Sequence, residues 1–333
     1  MKNIKDFSAY LAIPKTITIT THASPDADAL GSSLALYHYL KKRGHEVNVV
    51  TPTSYPDFLF WMKGNDDVIV NGDDTIERIT NIIAASDLIC CLDFSSLNRI
   101  KNLGELVRSS SAKKLLVDHH LNPEHFADFE FWNKKAAATA ELIYDLIILL
   151  NGKDKIDADM AECLYAGIMT DTGTFKHPST SAKIHRIVAE LIDLGANANK
   201  VSRAIYDTNS LNRLRFIGYS LMEKLTVDKK AQLAYFVINQ EEHDRFDLKS
   251  GDTEGLVNYA LSIKDIVIAA IIMETNGEVK MSFRSVGDYA VNSFAEDHFN
   301  GGGHKNAAGG ISQDSLENTV QKFKSLIPQI NPE

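Results

Sequence analysis

The first half of the chain alternates short β-branched or apolar runs with segments of helical spacing. Strands are predicted at Thr16–Thr21, Val47–Thr51, Leu88–Leu92 and Lys114–Val117. Helices are predicted at Leu30–Arg43, Ala136–Leu150 and Met160–Met169. Alternating strands and helices form parallel sheets whose crossover helices cover both faces. We therefore predict an α/β fold with a mostly parallel, doubly wound sheet over residues 1–195.

The pattern changes after residue 180. Residues 181–224 have helical, charge-rich spacing without a strand, and we predict a helical linker over 196–225. The remainder contains predicted strands at Gln232–Ile238, Ile266–Thr275 and Glu278–Arg284, with a two-residue hairpin turn at Asn276-Gly277. A helix at Tyr289–His298, a glycine-rich loop at Asn300–Gly310 and a helix at Ser315–Ile327 follow. Residues 226–333 are thus predicted to form a smaller α+β domain.

Composition and charge narrow the classes of function. The 333 residues are 44% hydrophobic and carry a net charge of −9, which argues against sequence-independent coating of duplex nucleic acid by a basic surface. Three cysteines without a CxxC spacing indicate neither a disulfide framework nor a zinc–thiolate site. The amino-terminal residues lack an apolar signal core, and the longest apolar run, Ile266–Met273, is too short to cross a bilayer. We expect a cytoplasmic protein without a membrane partner. No motif demands a dimer, and a homodimer stays open.

Carboxylates and histidines are concentrated at the ends of the predicted strands and helices of the first domain. They are His22, Asp26, Asp28, Asp93, Asp118, His119, His120 and Asp171. Parallel strands of an open α/β sheet bring their carboxyl ends to one edge, so these distant positions can meet in one site. Oxygen and imidazole ligands accept Mn²⁺, Mg²⁺ or Co²⁺, and a bridging carboxylate can hold two ions about 3.5–4 Å apart. A helix cap would explain one acid after His22, but not a histidine with two acids. The pattern predicts a two-metal site.

A glycine-rich segment near the carboxyl end gives a weaker indication of anion binding. Gly301-Gly302-Gly303 precedes His304 and Lys305. Successive glycines can expose backbone N–H groups to an anion, and a neighbouring histidine can pair with phosphate. Three glycines more often make a flexible loop, and Arg284 alone could be an exposed strand residue. Taken together, these residues predict a phosphate clamp.

The ordered set His-x-x-x-Asp-x-Asp, Asp, Asp-His-His and Asp resembles the DHH phosphoesterase superfamily. The segments 283–285 and 300–309 resemble its DHH-associated carboxyl-terminal domain. The two-domain arrangement is most similar to the subfamily of nanoRNases and 3′-phosphoadenosine-5′-phosphate phosphatases. This resemblance implies one metal ion on His22, Asp26 and Asp93, and a second ion on Asp28, Asp93, His119 and Asp171. Asp93 would be the bridge, and Mn²⁺ would be the usual ion.

The same resemblance implies roles for residues beyond the metal ligands. Asp118 would orient His119, and His120 would assist the phosphate or the leaving group. The predicted substrate-binding residues are Arg284, Gly302, Gly303 and His304. The implied reaction is hydrolysis of short oligoribonucleotides to mononucleotides, of 3′-phosphoadenosine 5′-phosphate to AMP, or of both.

Several other functions stay open at this stage. Within the same chemistry, cyclic di-AMP or its linear dinucleotide product is the first alternative. A RecJ-like exonuclease for long single strands is disfavoured, because the chain has no room for an additional nucleic-acid-binding domain. An exopolyphosphatase or pyrophosphatase would share the metal ligands but not the glycine-rich tail. A nucleotide sensor without catalysis is the alternative outside the enzyme class, and the complete ligand set argues against it.

Overall fold

The computed structural model describes residues 4–249 and 251–329. The chain divides into two compact units, Met1–Thr208 and Asn209–Glu333, hereafter unit 1 and unit 2. This boundary falls inside the segment 196–225 that was predicted as a linker. The outer ends of the predicted domains, 1–3 and 330–333, lie outside the described residues. Within the described ranges, no helix is both long and apolar enough to cross a membrane.

Unit 1 contains six strands and eight helices in its described part. The strands are β1 (Thr16–Thr21), β2 (Glu46–Thr51), β3 (Val68–Val70), β4 (Leu88–Leu92), β5 (Lys113–Asp118) and β6 (Phe129–Trp132). The helices are α1 (Ile4–Tyr10), α2 (Ala27–Lys42), α3 (Ile76–Ala84), α4 (Leu103–Ser109), α5 (Thr139–Leu149), α6 (Ala158–Asp171), α7 (Ala182–Asp193) and α8 (Ala198–Tyr206). The predicted α/β class is confirmed.

The six strands form one parallel sheet in the order β3-β2-β1-β4-β5-β6. The chain builds outward from β1 to β3, returns to β4 beside β1, and then builds outward in the other direction. The strand order therefore reverses between β1 and β4. In open α/β sheets a ligand crevice forms at this reversal, outside the carboxyl ends of the strands.

Both faces of this sheet are covered, which explains the continuous apolar run of β4. Cys90 packs in one core with Leu34 of α2 and Ile143 of α5. Its neighbour Cys91 packs in a second core, on the other face, with Ile79 of α3. A strand buried on both faces has no polar side, so it shows no alternation in sequence. The doubly wound arrangement predicted from the sequence follows from this packing.

Unit 2 is built on a second six-stranded sheet. Its strands are β7 (Leu225–Asp228), β8 (Leu233–Ile238), β9 (Ile268–Thr275), β10 (Glu278–Ser285), β11 (Gly302–His304) and β12 (Ala307–Ser312). Its helices are α9 (Leu211–Tyr219), α10 (Gln240–Arg245), α11 (Leu256–Leu261), α12 (Val291–His298) and α13 (Leu316–Leu326). The strand order is β11-β12-β10-β9-β8-β7, with β8 and β9 parallel and the other neighbours antiparallel. This is the predicted smaller α+β domain.

The hairpin prediction is confirmed and the loop prediction is wrong. Asn276 and Gly277 have positive φ angles of 52° and 80° and join β9 to β10, as a two-residue hairpin requires. The segment Asn300–Gly310, predicted as a loop, contains β11 and most of β12, paired antiparallel. Glycine is depleted in strands, so a segment with many glycines was predicted as a loop rather than as two paired strands. The pairing needs glycine at position 303, where an added Cβ would lie 2.5 Å from the Ala307 carbonyl oxygen.

Candidate metal centre

Three strands and one helix of unit 1 end close together. His22 follows β1, Asp93 follows β4, and His119 follows Asp118 at the end of β5. Asp171 is the last residue of α6. Because β1 and β4 flank the reversal in strand order, these side chains stand at the place where the fold forms its crevice.

His22, Asp26 and Asp93 form the first group of potential ligands. The His22 Nε2 lies 3.4 Å from Asp93 Oδ2 and 3.9 Å from Asp26 Oδ2. The other ring nitrogen, Nδ1, donates to the Ala23 carbonyl oxygen at 2.9 Å, which fixes the ring. Asp26 caps α2, because its Oδ1 accepts two backbone N–H groups of the first helical turn, both at 3.0 Å. His22 Nε2 and Asp26 Oδ2 are thereby turned towards Asp93.

Asp28, His119 and Asp171 form the second group. The His119 Nε2 lies 3.1 Å from Asp171 Oδ2, 3.8 Å from Asp28 Oδ2 and 3.5 Å from Asp93 Oδ1. Its Nδ1 donates to the Ala136 carbonyl oxygen at 3.2 Å. One imidazole nitrogen therefore faces three carboxylates, which is an arrangement that a cation would stabilise.

Asp93 belongs to both groups. Its Oδ2 faces His22 and its Oδ1 faces His119, and the residue is only 2% exposed. Its φ of 66° lies in the left-handed region, which costs most residues about 1–2 kcal/mol but is tolerated by aspartate. Strained backbone of this kind is concentrated at functional sites. The two carboxylate oxygens of Asp93 are placed as a bridge between two cations would require.

The carboxylates and histidines perturb one another strongly. Burial alone would lower the pKa of His22, but its hydrogen bond to Asp93 and the nearby carboxylates raise the pKa to about 9. Burial likewise opposes protonation of His119, yet hydrogen bonds to Asp171 and Asp93 raise its pKa well above the ordinary value. Burial and the charge of Asp93 raise the pKa of Asp28. The Asp93 pKa is held well below its usual range, against the effect of burial, by hydrogen bonds from His119 and His22.

This donor set fits a pair of hard or borderline divalent cations. Four carboxylates, those of Asp26, Asp28, Asp93 and Asp171, meet two imidazoles in the two groups. Two divalent cations would carry the equal and opposite charge of four ionised carboxylates. Oxygen and imidazole ligands suit Mn²⁺, Mg²⁺ or Co²⁺. The three cysteines are buried elsewhere in the core and belong to neither group, so a thiolate site does not arise here.

Asp118 orients a different histidine from the one expected. The prediction paired Asp118 with His119, but its Oδ1 accepts from the His120 Nδ1 at 2.8 Å and from the His120 backbone N–H at 3.1 Å. The Ala136 carbonyl takes the expected role towards His119. Asp118 and His120 therefore form a dyad beside the metal ligands. The indole N–H of Trp132 donates to the His120 carbonyl at 2.6 Å and fixes the same turn.

A further layer of contacts was not predicted from the sequence. Asp28 accepts the backbone N–H groups of Thr139 at 2.6 Å and Ala140 at 2.8 Å. Helix α2 approaches α6 so closely that a Cβ at Gly31 would lie 2.4 Å from the Cys163 carbonyl oxygen. At Gly167 it would lie 2.6 Å from Asp28 Oδ1. The sequence did not indicate these contacts, because apolar helices that contain alanine and glycine are typical of any tightly packed core.

The predicted substrate residues of unit 2 lie around one row of its sheet. Arg284 of β10 is opposite Ala307 of β12, and Ala307 is opposite His304 of β11. Directly opposed residues of antiparallel strands project from the same face, so Arg284 and His304 share a face about 10 Å apart with a small alanine between them. The glycines contribute differently: close strand approach explains Gly303, whereas a Cβ at Gly302 would lie 3.5 Å from the Glu296 carboxylate.

Comparison with known families gives a match in each unit. The model of the DHH family, N-terminal domain, matches residues 16–168, and that of the DHHA1 domain matches residues 230–330. A Bacillus subtilis protein named bifunctional oligoribonuclease and PAP phosphatase NrnA is 27% identical over 95% of this chain and 96% of its own length. A Streptococcus mutans protein, named a probable enzyme of the same kind, is 29% identical over 98% of this chain and its entire length.

Two solved structures extend the comparison. The crystal structure of an exopolyphosphatase-related protein from Bacteroides fragilis has a TM-score of 0.93 and 38% identity, over 98% of this chain and 95% of that protein. The Thermus thermophilus RecJ structure in complex with Mn²⁺ has a TM-score of 0.59 at 15% identity, over 99% of this chain and 55% of RecJ. The RecJ likeness concerns the fold alone.

Proposed function

The chain belongs to the DHH family, in its NrnA-like branch, and from that premise we propose that it hydrolyses short oligoribonucleotides to mononucleotides and 3′-phosphoadenosine 5′-phosphate to AMP. The observation that carries this proposal is the position of Asp93 between two ligand groups, one oxygen facing each. The names of the Bacillus and Streptococcus relatives support the substrate class. The enzyme would be a metal-dependent phosphodiesterase and phosphatase.

The metal ligands divide as the geometry groups them. His22, Asp26 and Asp93 would hold one ion, and Asp28, Asp93, His119 and Asp171 the other. Such a pair, when bound, supplies a hydroxide nucleophile near neutral pH and stabilises charge on the phosphate. We propose Mn²⁺ as the ion, since the ligands are oxygen and imidazole and the resemblance to the DHH phosphoesterases implies this ion.

The Asp118–His120 dyad provides proton transfer in this proposal. Asp118 accepts the His120 Nδ1–H and so orients the ring, and the Nε2 of His120 would be the atom that acts on substrate. Hydrolysis forms a bond from water oxygen to phosphorus and breaks the bond to the leaving oxygen, which then needs a proton. A histidine oriented by a buried carboxylate can give that proton, a contribution typically worth about 10²–10⁴ in rate.

We assign substrate recognition to the row of opposed residues Arg284, Ala307 and His304 on β10, β12 and β11. The Arg284 guanidinium and the His304 imidazole would bind phosphate oxygens by charge-assisted hydrogen bonds, which are shorter and stronger than neutral ones. Gly302 and Gly303 would let the substrate approach the backbone of β11. Short oligonucleotides and small nucleotides are therefore the proposed partners. A cytoplasmic location completes the proposal.

The experiment is Mn²⁺-dependent hydrolysis of a substrate panel by the purified protein. The panel holds a ribo-dinucleotide, a ribo-pentamer, 3′-phosphoadenosine 5′-phosphate, cyclic di-AMP and pyrophosphate. Preference for the first three supports the proposal, whereas preference for cyclic di-AMP or pyrophosphate would replace the substrate assignment. Asp93→Asn should abolish turnover, and Asp73→Asn, at an exposed acid of unit 1, is the matched control.

A further inference from the structure

Thr139 contacts two predicted metal ligands that are distant in sequence. Its hydroxyl donates to Asp93 Oδ1 at 2.8 Å, and its backbone N–H donates to Asp28 Oδ2 at 2.6 Å. Thr139 is fully buried at the first position of α5. The hydroxyl is the donor in the first contact, because an ionised carboxylate can only accept. One residue therefore sets the orientation of the bridging carboxylate and of a carboxylate in the second group.

The preceding residues extend this contact to a third ligand. The Ala136 carbonyl accepts from His119 Nδ1, and the N–H of Ala140 donates to the other oxygen of Asp28. The segment Ala136–Ala140 thus contacts Asp28, Asp93 and His119 together. Its alanine side chains make none of these hydrogen bonds, since the donors and acceptors are backbone groups and the one hydroxyl. Thr139 is the only position in this segment whose side chain can direct a ligand.

The start of α5 depends on the same contacts. Ala138, at its N-cap, has no side chain that can accept the free N–H groups of the first turn. The carboxylate of Asp28 accepts two of them instead. Carboxylates at a helix N-terminus are also stabilised by the helix dipole. The start of α5 and the carboxylate of Asp28 therefore stabilise each other, and the Thr139 hydroxyl connects the same helix start to Asp93.

We propose that Thr139 is a positioning residue that holds the bridging carboxylate of Asp93 in its two-sided orientation. This inference rests on the proposed two-metal function. A bridge must keep both oxygens in place, and rotation of the carboxylate about its terminal bond would withdraw Oδ1 from one group and Oδ2 from the other. Groups that hydrogen-bond to metal ligands typically change metal affinity about 10- to 100-fold when they are removed.

The test measures Mn²⁺ binding by titration calorimetry on metal-free full-length protein. Thr139→Val keeps the shape and the backbone N–H but removes the hydroxyl, and it should bind Mn²⁺ about 10- to 100-fold more weakly. Thr139→Ser keeps the hydroxyl and should bind Mn²⁺ about as tightly as the natural chain, with a loss well below tenfold. The matched control is Thr319→Val in unit 2, which removes a buried hydroxyl bonded to Ser312 and should leave Mn²⁺ affinity unchanged.

The outcomes separate this inference from the function on which it rests. Unchanged Mn²⁺ affinity in Thr139→Val, with tight binding in the natural chain, would overturn the positioning role alone. No Mn²⁺ binding by the natural chain would overturn both proposals. If the valine variant does not fold, as judged by circular dichroism, the comparison is made between Thr139→Ala and Thr139→Ser. Equal affinities of those two variants would then contradict the inference.

Discussion

Replacing Gly167 by alanine tests whether the close approach of α2 and α6 holds Asp28 in place. The added Cβ would lie 2.6 Å from Asp28 Oδ1, 2.8 Å from the Ala140 Cβ and 3.1 Å from the Asp28 Cα. Favourable separations of non-bonded carbon atoms are about 3.5–4.0 Å. Asp28 cannot turn away without losing its hydrogen bonds from Thr139 and Ala140, at 2.6 and 2.8 Å. The helices must therefore separate by several tenths of an ångström.

Two opposing contributions set the size of the effect on stability. Alanine is favoured over glycine inside a helix by about 1 kcal/mol. Overpacking of a close-packed core typically costs about 1–3 kcal/mol. We expect a net loss of up to about 2 kcal/mol in the free energy of unfolding, since the second contribution is larger. Moving Asp28, a proposed metal ligand, should also weaken Mn²⁺ binding by about an order of magnitude or more.

The assay is urea unfolding together with Mn²⁺ titration. Tryptophan fluorescence reports unit 1, because both tryptophans, Trp61 and Trp132, lie there, and circular dichroism follows the whole chain. Gly218→Ala is the matched control: this helical glycine of α9 has no neighbour within 4 Å of an added Cβ. The control should gain up to about 1 kcal/mol. Wild-type Mn²⁺ affinity and wild-type unfolding in Gly167→Ala would refute the packing argument.

Three further predictions concern the dyad, the substrate row and pH. Asp118→Asn should lower kcat by up to about 10²-fold through His120 with little change in Mn²⁺ affinity, and equal losses of both would contradict the dyad. Arg284→Ala should raise KM for oligonucleotides about 10- to 100-fold, while exposed Lys229→Ala should not, and an unchanged KM would remove Arg284 from the site. Metal-free protein should lose stability as pH rises from 6.5 to about 9, because the raised pKa of His22 stabilises the folded state only while that histidine is protonated. His22 alone accounts for up to about 3 kcal/mol of this loss. A stability of the metal-free protein that is constant over this range, measured by urea unfolding, would contradict the raised pKa of His22.

The sequence predicted the elements whose pattern is strong and local. The strands that deliver His22, Asp93 and Asp118 were predicted within a residue or two, because β-branched or apolar runs end there at polar side chains. Convergence of the ligands followed from parallel topology alone. Five elements of unit 1, namely α1, β3, α3, α4 and β6, were not predicted. Several are short, and their stability comes from neighbours in space rather than from local pattern.

The contacts that support the ligands could not be predicted from the sequence. Asp118 and His119 are adjacent, so pairing them was natural, but Asp118 bonds to the histidine two residues on. Thr139 lies 46 positions from Asp93 and 111 from Asp28. Nothing in an alanine-rich stretch distinguishes a threonine that holds a carboxylate from one that begins a helix. Such contacts depend on tertiary packing, which a single sequence does not express.

The most direct test of the account is the number of Mn²⁺ ions that active protein binds. Calorimetric titration of metal-free protein should give two ions per chain, with hydrolysis of a ribo-dinucleotide appearing as the second ion binds. Asp93→Asn should lower the affinity of both ions, since both groups share its carboxylate. Full hydrolysis with a single bound ion, or two ions of unchanged affinity in Asp93→Asn, would contradict the shared two-metal centre.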